Sequence, residues 1–179
     1  MAARVVLLRG INVGPNKRIA MPALREALTD AGFEDVRTYV QSGNVVLSST
    51  TSAKQLTSQC AQLIRDTFGF DVDVVVRTRD ELAEVVGRNP LGDVAENPKR
   101  YQVSFLSAKP RAEVVRKLEG LKAPTEEFAA IGKEFYAWHP AGVARSKLWN
   151  ALAGQGLGVT ATSRNWTTVT TLLAMADET

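Results

Sequence analysis

The chain has 179 residues, of which 45% are hydrophobic, so it can bury a core and is not expected to be disordered. Lysine and arginine number 22 against 19 for aspartate and glutamate, and the formal charge of +3 permits an anionic partner without requiring one. The only cysteine, Cys60, excludes an intrachain disulfide and a zinc site made of cysteines alone.

The pattern between residues 4 and 77 predicts a unit of strand, helix, strand, strand, helix, strand. The strands are predicted at residues 4–8, 36–41, 45–48 and 72–77. One helix begins near Met21 with a proline in its first turn, and the other follows a polar stretch at residues 49–52. Between the second and third strands, Gly43 supplies a turn residue that can adopt a positive φ.

A weaker copy of the same order follows residue 101. Its predicted strands are 101–106, 127–131, 134–138 and 159–162, its helices are 111–121 and 146–153, and a final helix covers 165–176. A short helix at 80–88 and a turn-rich segment at 89–98 separate the copies. The predicted fold class is therefore α+β, with two ferredoxin-like (βαββαβ, α/β-plait) subdomains in tandem and an extra C-terminal helix. The predicted boundaries are 1–78, 79–100 for the helix and linker, and 101–179.

In this topology the loop after the first strand and the hairpin between the second and third strands share one edge of the sheet. The loop at residues 9–20 is longer than the usual connection of roughly 2 to 6 residues, and such loops often carry function. The ligand-binding candidates at this edge are Arg9, Asn12, Gln41, Ser42 and Asn44. The structural alternative is that Arg9 pairs with a carboxylate, Asn12 bonds its own turn, and the hairpin residues serve the turn itself.

The same geometry in the second copy puts residues 139–147 at one edge with residues 164–166. Both segments open predicted helices, and the unpaired amides of a helix N-terminus attract anions. The candidates at this edge are Arg145, Lys147, Arg164 and Asn165. The two edges together predict an anionic ligand, either a phosphorylated small molecule or the backbone of a nucleic acid.

Three motifs occur in order along the chain. They are Leu-Arg-Gly-Ile-Asn-Val-Gly at residues 8–14, Val-Gln-Ser-Gly-Asn-Val at 40–45 and Arg-Asn-Trp at 164–166, with a looser pattern at 142–148. In these motifs the chain resembles the bacterial family known as domain of unknown function 1697 (DUF1697). The resemblance implies a fold of two α/β-plait subdomains and brings no activity with it.

Several other residues are of types that can take part in catalysis or metal binding, and we interpret them as structural residues. His139 is the only histidine and no nucleophile with a recognisable activating partner accompanies it, so no catalytic residue is assigned. Trp166 and Cys60 lie on apolar helical stripes and are interpreted as core residues. Glu126 and Glu127 have no further ligand at metal-binding spacing and are expected to be solvated. We therefore expect neither a metal site nor a cofactor.

Three kinds of function stay open from the sequence. The first is a non-catalytic module that binds an anion, and the second is an enzyme that acts on an anionic substrate by positioning and electrostatics. The third is a structural or interaction protein, as a monomer or a homodimer. No apolar run approaches the roughly 20 residues of a membrane helix and the N-terminus has no signal-peptide pattern, so we expect a cytoplasmic protein without a membrane partner.

Overall fold

The computed structural model describes residues 1–179, which group into two compact units. One unit is Met1–Glu84 with Thr171–Thr179, and the other is Val85–Thr170. The architecture is mixed α and β, with two four-stranded antiparallel sheets and six α-helices, as the α+β class requires. None of these helices combines the length and the apolar character needed to cross a bilayer. The predicted domain boundaries, at 1–78, 79–100 and 101–179, stay a prediction.

The first sheet contains the elements predicted for the first copy. Its strands are β1 (Ala2–Leu8), β2 (Glu34–Tyr39), β3 (Asn44–Ser49) and β4 (Val74–Thr78), and its helices are α1 (Met21–Asp30) and α2 (Ala53–Phe68). The strand order is β2-β3-β1-β4, and every neighbouring pair is antiparallel. A further helix, α3 (Arg79–Arg88), follows β4 directly.

The helices of the first unit form where the sequence supplies caps and an apolar stripe. Ser52 caps α2 by accepting a hydrogen bond from the Gln55 amide at 3.2 Å, and Gly69 ends it with a left-handed φ of 82°. The predicted core role of Cys60 is confirmed, because its side chain lies in the buried cluster between the sheet and the helices. That cluster includes Val6, Leu8, Leu24, Leu28, Val45, Leu47, Leu56, Ile64 and Val76.

The second sheet repeats the order of the first. Its strands are β5 (Tyr101–Leu106), β6 (Glu127–Ile131), β7 (Glu134–Trp138) and β8 (Ala161–Asn165), and its helices are α4 (Ala112–Leu121) and α5 (Lys147–Ala153). The strand order is β6-β7-β5-β8, again antiparallel throughout. A short 3-10 turn at Pro98–Arg100 precedes β5, and α6 (Trp166–Asp177) follows β8.

The predicted core role of Trp166 is confirmed only in part, because Trp166 is half-buried and belongs to neither apolar cluster. Its ring stacks on that of Tyr101, with ring centroids 4.7 Å apart and planes inclined by 16°. A separate apolar cluster lies between the second sheet and its own two helices. Its members include Leu106, Leu118, Phe128, Phe135, Leu148, Leu152 and Ala161.

The last strand differs from the prediction. It runs over Ala161–Asn165, whereas the predicted strand ended at Thr162 and the predicted start of a helix included Arg164 and Asn165. Ser163 and Arg164 instead pair with Ser104 and Val103 of β5. The polar residues 163–165 were not recognised as part of a strand. Their side chains form hydrogen bonds inside the protein, for example the 2.6 Å contact between the Ser163 hydroxyl and the Ser104 hydroxyl of β5.

Candidate functional site

The first predicted cluster is brought together as the topology requires. The Leu8 amide donates a hydrogen bond to the Gly43 carbonyl at 2.9 Å, so the hairpin between β2 and β3 lies against the end of β1. A Cβ atom on Gly43 would lie 2.7 Å from Leu8 Cβ and 2.9 Å from Ile11 Cδ1. The two segments are therefore in direct contact, and the contact is tightly packed.

Asn12 organises the long loop at this edge. Its Oδ1 accepts a hydrogen bond from the Ile19 amide at 2.9 Å, while its Nδ2 donates to the Ile19 carbonyl at 2.9 Å and to the Gln41 carbonyl at 2.7 Å. Its φ is 56°, a left-handed conformation that asparagine tolerates better than most residues. The Asn12 amide thus holds both ends of the loop and the hairpin together, as the structural alternative expected.

The other candidates at this edge also have structural partners. Arg9 lies 3.9 Å from the carboxylate of Asp73, and the Arg9 amide donates to the Asp73 carbonyl at 3.0 Å. Asn44 is fully buried, and its Nδ2 donates to the Tyr39 carbonyl at 3.0 Å and to the Ser42 hydroxyl at 2.9 Å. These contacts give the polar residues of the first two motifs a role in the fold that needs no ligand. Ligand contact at this edge stays a prediction.

Two of the four residues predicted at the second edge, Arg145 and Lys147, line a pocket of about 720 Å³. One wall is the segment from Gly120 to Glu126, which leads from α4 into β6, and the other is the segment from Ala141 to Lys147, which leads into α5. Arg145 and Lys147 line this pocket and are exposed. Lys122 lines it from the opposite wall and also lies 3.7 Å from Glu127. The volume falls in the range of roughly 300–1,000 Å³ that is typical of small-molecule sites.

Glu126 connects the two walls of the pocket. Its Oε1 accepts a hydrogen bond from the Ala123 amide at 2.9 Å on one wall. Its Oε2 accepts from the Ser146 hydroxyl at 2.6 Å on the other wall and lies 2.5 Å from His139 Nδ1. Only 4% of Glu126 is exposed, so the expectation that it is solvated was wrong. A carboxylate with this many donors replaces the hydration it loses on burial.

The electrostatics of Glu126 follow from these contacts. Burial alone raises the pKa of the Glu126 carboxyl, but hydrogen bonds from Ala123, Ser146 and His139 favour the ionised form, and the pKa is lowered overall. The carboxylate is therefore ionised at neutral pH. Its negative charge lies in the wall of the pocket that Arg145 and Lys147 also line.

His139 does not complete a nucleophilic triad with these residues. In such a triad the carboxylate and the serine bind opposite nitrogens of the imidazole. Here Glu126 Oε2 and Ser146 Oγ both face Nδ1, at 2.5 and 3.4 Å, while Nε2 is buried without a hydrogen-bond partner. The Ser146 hydroxyl also caps α5 by accepting from the Trp149 amide at 3.0 Å. The arrangement orients Glu126 and fixes the start of α5, and it does not activate Ser146.

The last two predicted site residues have structural tasks in β8. Arg164 is 8% exposed, and its Nη1 donates to the Thr162 hydroxyl at 2.6 Å and to the Ser163 carbonyl at 2.9 Å. Burial lowers the pKa of this guanidinium to about 10. Asn165 Oδ1 accepts from the Thr168 amide at 2.9 Å, which caps α6. The ends of β7 and β8 share an edge, since Trp138 and Asn165 pair with neighbouring residues of β5.

Glu126 and Ser146 were not predicted as residues of a binding site, although the register of the predicted hairpin contains a signal for Glu126. A turn on Gly132 pairs Glu127 with Trp138, which puts the preceding residue, Glu126, beside the following residue, His139. The predicted hairpin therefore already placed a carboxylate next to the only histidine. The participation of Ser146 depends on the path of the loop before α5, which no periodic pattern encodes.

Comparison with known proteins gives a fold and a family. The structure of a conserved bacterial protein from Streptococcus pneumoniae is similar, with a TM-score of 0.79 over 97% of this chain and 98% of that chain. The two sequences are 21% identical, so this likeness shows the fold alone. The comparison with curated proteins found no match. A family profile described as "Protein of unknown function (DUF1697)" matches residues 1–136, and the chain belongs to that family.

Proposed function

We propose that the second unit binds a small anionic molecule in the pocket between Lys122 and Lys147. The observation that carries the proposal is the position of Arg145 and Lys147, two exposed cations on one wall of a pocket of about 720 Å³. Neither side chain has an ion-pair partner within the chain, so their charge is available to a ligand. Phosphate and carboxylate groups are the anions that arginine recognises best, because its guanidinium donates two parallel hydrogen bonds.

The pocket favours a small molecule over the backbone of a nucleic acid. Non-specific nucleic-acid binding needs several phosphate contacts along a basic stripe, and the formal charge of the whole chain is only +3. Lys122, Arg145 and Lys147 converge on one concave site, and Glu126 adds a negative charge to its wall. A ligand with one or two anionic groups fits this balance better than a polyanion.

An enzyme that acts on the bound anion is a second candidate. It is favoured by one observation, that an ionised carboxylate and a hydroxyl, those of Glu126 and Ser146, both line the pocket. Glu126 would then act as a base or orient a polar group of the substrate. The loss of turnover in the variant Glu126→Gln, with ligand affinity retained, would distinguish this candidate from simple binding.

We also propose that each sheet with its two helices is a ferredoxin-like plait. The proposal is supported by the order of elements in each unit, strand-helix-strand-strand-helix-strand, and by strand orders with the first and third strands at the centre. In this arrangement the loops after the first and third strands and the hairpin between the second and third strands occupy defined edges. The anion pocket would then lie at the edge where β6 begins and β7 ends.

The test is a thermal-shift screen of inorganic phosphate, sugar phosphates, nucleotides, dicarboxylates and short oligonucleotides at low and high salt. A ligand that binds only the folded state at about 100 times its Kd stabilises it by about 2.7 kcal/mol, which raises the Tm by several degrees. We expect a phosphorylated or carboxylated small molecule to give this shift. If only the oligonucleotides give a shift, and it disappears in high salt, the small-molecule proposal is wrong.

A further inference from the structure

One wall of the anion pocket, residues 120–126, contains the C-terminal end of α4. The helix ends at Leu121, and Lys122 after it has an extended backbone. The Gly120 carbonyl has no helical partner, because the residue four positions later is Pro124, which has no N–H. The Leu121 carbonyl also accepts no hydrogen bond from the chain. This wall therefore carries two open acceptors and the negative end of a helix dipole.

Glu126 adds a full negative charge to the same wall. A carboxylate can accept about four hydrogen bonds, and Glu126 accepts one on Oε1 and two on Oε2, so one acceptor position on Oε1 is left. The only cation of this wall, Lys122, lies 3.7 Å from the carboxylate of Glu127, which offsets its charge. The wall as a whole is therefore an acceptor surface with a net negative charge.

The other wall of the pocket has the opposite character. Arg145 and Lys147 are exposed there, and residues 141–147 include no acidic side chain. A ligand with only negative charge would satisfy this wall, but it would leave the acceptors of the first wall without a donor and would be repelled by Glu126. The pocket is thus complementary to a molecule that carries charges of both signs.

We propose that the ligand of this pocket is a small zwitterion, an amino acid or an aminoalkyl phosphate. Arg145 and Lys147 hold its carboxylate or phosphate, and Glu126 with the carbonyl groups at the end of α4 holds its ammonium group. An ammonium group has three donors, which matches one carboxylate position and the two open carbonyl groups of Gly120 and Leu121. This assignment rests on the anion site proposed above and adds the second charge of its ligand.

The test is calorimetric titration of the full chain at pH 7 with two pairs of probes of matched shape. The pairs are phosphoethanolamine with propyl phosphate, and aspartate with methylsuccinate. In each pair a methyl group replaces the ammonium group while the anionic groups are kept. We expect the ammonium compound of at least one pair to bind about tenfold more tightly than its methyl partner, and that pair identifies the anionic group.

A carboxylate variant tests which residue reads the ammonium group. Glu126→Gln should reduce the preference for the ammonium compound to less than about threefold, because the amide has no charge. Glu119→Gln is the matched control, since Glu119 is an exposed carboxylate of α4, and it should leave the preference unchanged. Tryptophan fluorescence shows before titration that each variant is folded. The comparison within each pair of probes uses the unmodified chain and does not depend on the variants.

Three results would overturn the zwitterion assignment. The first is a methyl compound that binds as tightly as its ammonium partner in both pairs, a result that leaves the anion site itself intact. The second is an ammonium preference that Glu126→Gln does not change. The third is no binding of any of the four probes at about 50 mM. In that case the anion site is wrong as well only if inorganic phosphate and the other compounds of the thermal-shift screen also have no effect.

Discussion

Gly43 is required at its position for two independent reasons. Its φ is 83°, which side chains other than glycine rarely adopt, and a Cβ atom would approach Leu8 and Ile11 within 2.7 and 2.9 Å. The hairpin can therefore lie against the end of β1 only with glycine here. This explains the Ser-Gly-Asn part of the second motif without reference to a ligand.

The first prediction concerns this residue. Gly43→Ala should lower the free energy of unfolding by roughly 2 to 4 kcal/mol, the sum of left-handed strain and overpacking. Gly14→Ala, in the loop at the same edge, is the matched control because a Cβ there meets nothing within 4 Å and its φ is not left-handed. Urea unfolding of both variants measures the difference. Equal stability of the two would show that the hairpin does not depend on the close approach.

The second prediction concerns the charge of Glu126. Because its pKa is lowered in the folded state, its stabilising effect is present above the unfolded value of about 4.3 and is lost as the pH falls through the folded value. Glu126→Gln should destabilise the protein by about 1–3 kcal/mol at pH 7, since an amide cannot accept all the hydrogen bonds of the carboxylate. The difference from wild type should shrink as the pH approaches the folded pKa.

Tryptophan fluorescence measures this effect, because all 3 tryptophans lie in the second unit. Glu119→Gln is the control, since Glu119 is an exposed residue of α4 near the same pocket. A destabilisation of Glu126→Gln that is constant from pH 7 to pH 4 would contradict the account, because the effect would then not depend on ionisation.

At the scale of the elements, the spacing of apolar residues was sufficient to locate those helices and strands that bury one face. The prediction located β1, α1, α2, β5, β6 and β7 within about two residues, because each places hydrophobic side chains at a regular interval. It misplaced the end of β8, whose residues Ser163, Arg164 and Asn165 are polar. Their hydrogen bonds are formed with β5, with the strand itself and with α6, and such contacts have no period in the sequence.

The third prediction concerns α2. Burial raises the pKa of the Cys60 thiol to about 12, so almost no thiolate is present at pH 8. We expect the native protein to react with a disulfide reagent at least about a thousandfold more slowly than the protein in denaturing urea, where the pKa returns to about 8.5. Labelling followed by absorbance gives both rates. Similar rates in the two conditions would mean that Cys60 is accessible and that the core assignment of α2 is wrong.

At the scale of the whole molecule, the sequence predicted the fold more completely than the site. The repeated order of elements determined the strand orders, and the strand orders brought Gly43 beside Leu8 and the end of β7 beside that of β8. Polar residues of the first edge proved to hold the fold together. Arg145 and Lys147 line the pocket and their contact with a ligand stays a prediction, whereas Arg164 is a buried strand residue.

The pocket itself could not be predicted, because it is formed by two loops whose paths are set by side-chain contacts. Glu126 fixes both walls through one carboxylate, with the Ala123 amide on one side and the Ser146 hydroxyl on the other. These contacts need a defined tertiary structure before they can form. Sequence patterns report which segments meet at an edge, and they do not report the space left between them.

The central claim is that Arg145 and Lys147 bind a small anion, and calorimetric titration of the best ligand from the screen tests it most directly. Arg145→Ala/Lys147→Ala should weaken binding about 10- to 100-fold, through the loss of charge-assisted hydrogen bonds. Arg116→Ala/Lys117→Ala removes the same charges from exposed residues of α4 and should change the affinity by less than about twofold. Equal losses in the two double variants, or no loss in either, would contradict the proposed site.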